Sequence, residues 1–128
     1  AVPNYNLETG LHEEHNRREL MKDSTDLQLS HEMFYEDVCY FDKVASRQVE
    51  LLNSENTGVR VDYPDFTSLG VWQSKDAPFL CIEPWCGSAD FDDCSGVFAE
   101  KRGIEILAPG AEKTFTYAIT AVEHKAKV

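Results

Sequence analysis

The chain has 128 residues, of which 42% are hydrophobic and 27% charged, and its formal net charge is −11 at pH 7. This length and apolar content fit a single folded domain, residues 1–128, and exclude a disordered chain as the first interpretation. The acidic charge disfavours nucleic acids and anionic membranes as partners, because both would be repelled. A neutral small molecule is the partner that this charge favours.

Neither a membrane-spanning segment nor an export signal is visible. No apolar run approaches the roughly 20 residues needed to cross a bilayer, and the N-terminal residues lack a charged-then-apolar pattern. We therefore expect a soluble, cytoplasmic protein. Its four cysteines are irregularly spaced and include no zinc-type pair, so free thiols are expected, with a disulfide between Cys86 and Cys94 as the alternative.

Residues 1–26 are rich in charge and poor in apolar side chains, which indicates an edge strand or an excursion from the fold. His12 and His15 could share a helix face with Glu14 or Glu19 and bind a metal ion. No third ligand follows at a matching spacing. We therefore interpret this stretch as a solvated, charged turn and expect no metal.

The middle of the chain shows short alternating runs that predict strands at residues 38–41, 46–53, 59–62 and 68–74, after a single helical turn capped by Ser30. Residues 54–58 have turn composition, and Gly58 can adopt a positive φ at little cost. These features predict a hairpin between residues 48–53 and 59–62.

The C-terminal third adds predicted strands at residues 79–82, 97–98, 103–107 and 113–121. In the last of them, Phe115, Tyr117 and Ile119 alternate with polar side chains and are expected to bury together against Ile82 or Ile104. Seven or eight short strands without an amphipathic helix predict an all-β fold, an antiparallel β-sandwich.

Glu83 is the carboxylate that this pattern singles out. It follows the apolar run 79–82 and precedes Pro84, which favours an extended Glu83 and should end the strand. We expect Glu83 at a strand tip beside Trp85, where it is either a water-facing carboxylate or a general base. The acidic residues of 90–93 lack the glycine and the distant glutamate of a calcium loop, so a solvated loop is expected there.

The stretch Ala77-Pro-Phe-Leu-Cys-Ile-Glu-Pro-Trp-Cys-Gly, followed by Asp90, resembles the region around the catalytic glutamate of aldose 1-epimerases, the galactose mutarotase family, in its bacterial hexose-epimerase branch. The resemblance extends to residues 29–37, 59–66, 69–72, 101–104 and 107–110. Members of that family are considerably longer, and this chain resembles their C-terminal part. The resemblance therefore implies part of a twisted β-supersandwich whose sugar cleft lies on one concave sheet. The sheet surface left uncovered predicts association into a homo-oligomer.

The resemblance also implies a function, the interconversion of the α and β anomers of an aldohexose without metal or organic cofactor. It assigns the general base to Glu83, and to Asp37 the acceptance of hydrogen bonds from sugar hydroxyls, for which a turn-capping aspartate is the alternative. Trp72 and Trp85 would stack on the sugar or belong to the core. None of the four histidines lies in a context that resembles the family's catalytic acid. The alternative function is a non-catalytic carbohydrate-binding β-sandwich.

Overall fold

The computed structural model describes residues 1–124, which form eight β-strands and two short 3₁₀ turns. The strands are β1 (Val2–Asn6), β2 (Leu11–Arg18), β3 (Cys39–Phe41), β4 (Gln48–Leu52), β5 (Thr57–Asp62), β6 (Ser68–Trp72), β7 (Cys81–Trp85) and β8 (Ala118–Glu123). The 3₁₀ turns are His31–Phe34 and Phe98–Glu100. The first follows Ser30 as predicted, but the Ser30 side chain makes no capping hydrogen bond.

The strands pair antiparallel into three small sheets, so the predicted all-β class is confirmed. The first sheet is the hairpin β1–β2, the second has the order β3–β6–β7, and the third has the order β4–β5–β8. All four cysteines are free thiols, as expected. Within residues 1–124, no helix is long and apolar enough to cross a membrane.

The two three-stranded sheets share one apolar core, which gives the fold its sandwich character. Leu69 and Val71 of β6 contribute to this core from one sheet, and Val61 of β5 from the other, with Phe34 and Tyr63 from the connections. Side chains alternate between the two faces of a strand, so the neighbours of Leu69 on β6 point away from this core. That second face of the β3–β6–β7 sheet carries the candidate site.

The predicted hairpin is present as β4–β5, but Gly58 does not adopt the positive φ that was expected of it. The residue with positive φ in the turn is Asn56, at +59°, whereas Gly58 is not in the left-handed region. A Cβ at Gly58 would lie 1.8 Å from the backbone oxygen of Leu51 on the paired strand. Glycine is therefore needed here for close backbone approach, and the side chain of Asn53 organises the turn by accepting hydrogen bonds from the backbone N–H groups of Glu55 and Thr57.

All four strand predictions in the C-terminal third are wrong in whole or in part. Residues 79–82 overlap strand β7 only at residues 81–82. Residues 97–98 run into a 3₁₀ turn, residues 103–107 form no strand, and β8 begins only at Ala118. The expected joint burial of Phe115, Tyr117 and Ile119 is also wrong, since Tyr117 and Ile119 are 59% and 65% exposed. Phe115 is half-buried, with its ring 5.6 Å from that of Phe66, centre to centre. Ile119 pairs with the core residue Val61, but β8 is an edge strand and no further element covers its side chain among residues 1–124.

Replacing Gly58 by Ala should destabilise the hairpin by about 3 kcal/mol or more, because a Cβ forced against a paired strand must displace backbone. Gly96→Ala is the comparison: its Cβ would meet nothing within 4 Å, so only its positive φ, worth about 1–2 kcal/mol, opposes the change. Urea unfolding of both variants measures the difference. Equal losses in the two variants would contradict the steric argument.

Candidate functional site

Glu83 lies in the middle of strand β7, half-buried, and not at a strand tip as expected. Pro84 does not end this strand because β7 is the edge strand of its sheet, where a residue without an N–H is tolerated. The register sets Glu83 opposite Gly70 on β6, and Gly70 opposite Tyr40 on β3. These three residues therefore form a row across the face of the sheet that points away from the main core.

Gly70 creates the space beside Glu83, and Trp85 occupies part of it. A Cβ at position 70 would lie 2.9 Å from Cζ2 of the Trp85 indole, which shows that the ring rests directly on the backbone of β6. The ring of Tyr40 lies 5.5 Å from that of Trp85, centre to centre. The aromatic floor of the site is thus set by a glycine in the central strand, a close approach that the sequence pattern did not indicate.

Asp37 enters the site from the connection between the first 3₁₀ turn and β3. Its φ is +76°, an uncommon conformation for a residue other than glycine that aspartate tolerates better than most. The Asp37 carboxylate oxygen Oδ1 accepts a hydrogen bond from the backbone N–H of Val38 at 2.7 Å. The turn itself is closed by the N–H of Asp37, which donates to the carbonyl of Phe34 at 3.1 Å, and Oδ2 makes no hydrogen bond among residues 1–124.

A single cleft of about 290 Å³ is lined by all four residues that the sequence singles out, Asp37, Trp72, Glu83 and Trp85. Tyr5, His12, Val38 and Ala89 complete its lining. Trp72 faces this cleft and packs near Phe79, on the side of β6 opposite Leu69. The volume of the cleft lies just below the roughly 300–1,000 Å³ typical of small-molecule sites.

His12 is the cleft residue that sequence reasoning missed. Residues 11–18 form strand β2, which agrees with the edge-strand interpretation of residues 1–26 but not with the solvated turn expected around the histidines. His12 itself is buried. Its ring stacks on Tyr40 with 4.7 Å between centroids. The surrounding charged residues concealed this position, because a run of Glu, His and Arg shows no apolar alternation. Among residues 1–124, no group of three or more His, Cys, Asp or Glu side chains is arranged to hold a metal ion.

The segment after β7 is a loop in which Asp92 and Asp93 are exposed, as expected, but Phe91 within it is buried. Its backbone returns to β2, where the N–H of His12 donates to the carbonyl of Asp90 and the N–H of Asp92 donates to the carbonyl of His12, both at 2.8 Å. Phe91, between them, is buried against Tyr40. The segment thus adds to the sheet as an extra strand would, and Ala89 at its beginning closes one side of the cleft.

Ion pairs hold this segment in place. Arg102 donates to the carboxylates of Glu14, at 2.7 Å, and Asp93, at 2.6 Å, and its guanidinium lies 4.3 Å above the ring of Phe91. Glu14 also pairs with Arg17, which bridges to Asp42 at 2.8 Å. Hydrogen bonds from Arg17, the larger effect, and from Arg102 lower the pKa of Glu14 from 4.5 to about 2. A cluster of paired charges therefore joins strand β2 to the segment that closes the cleft.

A second concavity, of about 280 Å³, lies within residues 89–102. Its charged lining is already paired, since Lys101 contacts Asp90 at 3.1 Å and Arg102 contacts Asp93. The 290 Å³ cleft, where a carboxylate, an imidazole and indole rings face a common space, is the better candidate for chemistry.

Comparison with known proteins shows which sequences this chain resembles. No family model and no solved structure matches the chain. Two proteins of Lactococcus lactis subsp. lactis do match, the chromosomal and the plasmid forms of Protein LacX, with 29% and 28% identity over 122 residues. The chain is similar to Protein LacX. The match covers 94% of the chain and 41% of each LacX protein, so the chain spans about two fifths of their length.

Gly70→Ala should destabilise the protein by about 1–3 kcal/mol and disturb the indole of Trp85, because the added methyl group overlaps that ring. A double-mutant cycle with Trp85→Phe tests this cause directly, since the smaller ring removes part of the overlap. Urea unfolding followed by tryptophan fluorescence is the measurement. A Gly70→Ala penalty that is the same in both backgrounds would rule out the contact with Trp85 as its source.

Acid should weaken the attachment of the cleft-closing segment to β2. Because the folded protein depresses the pKa of Glu14 from 4.5 to about 2, the stability that Glu14 contributes is present above pH 4.5 and is lost as pH falls towards 2. Urea unfolding at several pH values should show that Glu14→Gln reduces this pH dependence, whereas Glu8→Gln, an exposed turn residue, should not. A Glu14→Gln variant whose unfolding has the same pH dependence as the wild type would disprove the contribution of ionised Glu14 to stability.

Proposed function

We propose that the cleft binds a monosaccharide and that the protein is an aldose 1-epimerase, which interconverts the α and β anomers of an aldohexose. The observation that carries this proposal is that Asp37, Trp72, Glu83 and Trp85 border one cleft. The resemblance to the epimerase family had assigned roles to Glu83 and Asp37, and the two tryptophans had been considered as sugar-stacking surfaces or core residues. The four residues come from three separate parts of the sequence. The similarity to Protein LacX, whose name states no activity, is compatible with the proposal.

The lining of the cleft suits a neutral sugar. Indole rings offer flat apolar surfaces for the C–H face of a pyranose, and carboxylate oxygens accept hydrogen bonds from its hydroxyl groups. Trp72 and Trp85 supply the first kind of contact, and the free Oδ2 of Asp37 supplies the second. The formal charge of −11 also favours an uncharged ligand over a phosphorylated one.

In the proposed reaction, Glu83 is the general base. Its carboxylate takes the proton from the hydroxyl on C1, while an acid donates a proton to the ring oxygen and the bond between C1 and that oxygen breaks. The open aldehyde then rotates about its bond to C2, and the ring closes on the opposite face as both protons return. No electron is gained or lost overall, so the reaction requires no redox cofactor.

We also propose that the described strands are part of a larger antiparallel supersandwich. Tyr117 and Ile119 are exposed beside the edge strand β8, where an additional strand could cover them. The greater length of the two LacX proteins supports this proposal. Further strands, or a second copy of the chain, would bury the same apolar side chains.

Glu83→Gln should slow anomer exchange by a factor on the order of 10² to 10⁴, roughly 3 to 5 kcal/mol of transition-state stabilisation, because the amide keeps the size of the side chain but is not a base. Polarimetry of freshly dissolved α-D-glucose or α-D-galactose, corrected for the spontaneous rate, measures the exchange. Glu55→Gln, in an exposed turn, is the matched control and should leave the rate unchanged.

Tryptophan fluorescence provides the second measurement, because Trp72 and Trp85 both line the cleft. Sugar should quench or shift the emission equally in the wild type and in Glu83→Gln. Sugar binding without any anomer exchange in the wild type would contradict the enzyme proposal and support the non-catalytic carbohydrate-binding alternative. An active wild type whose Glu83→Gln variant is equally active would remove Glu83 from the mechanism.

A further inference from the structure

His12 is a buried imidazole whose two ring nitrogens have no hydrogen-bond partner among residues 1–124. The residue is 1% exposed, and it lines the cleft that also contains Glu83. A buried polar group without a partner opposes folding, and native proteins contain few of them. A histidine that served only to fill this space would be less favourable than a phenylalanine of similar shape.

The position of the ring is fixed by its neighbours. Tyr40 stacks on it with an angle of 21° between the planes, while Tyr5 meets it edge-on at 5.3 Å and Phe91 packs against it at 5.2 Å. The backbone of His12 is hydrogen-bonded on both sides to the cleft-closing segment. The aromatic contacts occupy the apolar surface of the ring, and both ring nitrogens have almost no exposed surface. A ligand in the cleft therefore reaches the nitrogens only when the packing around the ring shifts.

The imidazole is uncharged at neutral pH. Burial lowers the pKa of His12 from 6.5, and this effect outweighs the opposing influence of the carboxylates of Asp42 and Asp37. A neutral imidazole has one nitrogen that donates a hydrogen bond and one that accepts. This pair of functions matches a hydroxyl group, which also both donates and accepts.

We propose that His12 is a ligand-binding residue of the cleft, where its imidazole edge hydrogen-bonds a hydroxyl group of the sugar. This inference rests on the proposed sugar site, but it does not depend on catalysis by Glu83. Binding of the sugar provides the partner that the buried nitrogens lack in the free protein. His12 therefore favours ligand binding at the expense of the stability of the unliganded fold.

His12→Phe tests whether the imidazole favours ligand binding at the expense of fold stability. The variant keeps an aromatic ring among Tyr5, Tyr40 and Phe91 but removes both nitrogens. The variant should unfold at the same urea concentration as the wild type or a higher one, since a buried unpaired polar group has been removed. Its dissociation constant for D-glucose or D-galactose, from tryptophan fluorescence, should rise about 5- to 10-fold for the loss of one hydrogen bond. His12→Gln, which retains a donor and an acceptor, should lose less affinity.

His15→Phe is the matched control, because His15 lies on the same strand but is exposed and does not line the cleft. It should change neither the stability nor the sugar affinity. For an active enzyme, His12→Phe should act mainly on KM, because a hydroxyl contact made equally in the ground state and the transition state contributes little to kcat. A His12→Phe variant with unchanged sugar affinity would overturn the inference and leave the proposed function standing.

A measurement on the wild-type protein decides the matter if His12→Phe does not fold. The ¹⁵N resonances of the His12 imidazole, observed by NMR, should shift when D-glucose or D-galactose is added, while those of His15 should not. A shift without any anomer exchange would support the inference and contradict the enzyme proposal. The absence of a shift at sugar concentrations that saturate the fluorescence change would overturn the inference. Absence of any sugar binding would overturn both proposals.

Discussion

The alternation of side chains along the central strand β6 is the constraint on which the rest of the structure depends. Leu69 and Val71 point into the core shared by the two three-stranded sheets, so Gly70 and Trp72 must point to the other face. A shift of one residue in the pairing of β6 with β7 would turn Glu83 into the apolar core. The burial of Leu69 and Val71 therefore determines where the carboxylate faces, even though they do not touch the cleft.

The cleft exists because several elements meet over this second face. Trp72 and Trp85 line the cleft from the sheet, where Gly70 leaves room for the Trp85 ring, and Glu83 lies beside them. Asp37 approaches from a turn, and the segment around Phe91 returns to strand β2 to close the side. Charge pairing by Arg102 and Glu14 helps to fix this segment. The arrangement combines an apolar floor with polar groups at its border, which is the usual composition of a site that binds a small polar molecule.

In the proposed site, stability and ligand binding oppose one another. The unpaired imidazole of His12 and the positive φ of Asp37 both make the free protein less stable than a simpler lining would. Such features are common where a protein must present polar groups in a fixed orientation. The aromatic packing of Tyr5, Tyr40 and Phe91 around His12 offsets this cost with apolar contacts that do not depend on a ligand.

The sequence alone determined the all-β class and the β4–β5 hairpin, because alternation and turn chemistry are local properties. The motif around Glu83 also pointed to two residues that border the cleft, Glu83 and Trp85. Only the tertiary structure decided that β7 is an edge strand, which is why Pro84 lies within it, and that β8 leaves Ile119 exposed. It alone revealed His12, because the burial of a histidine in a charged stretch depends on Tyr40 and Phe91, which are distant in sequence and meet it only in the folded chain.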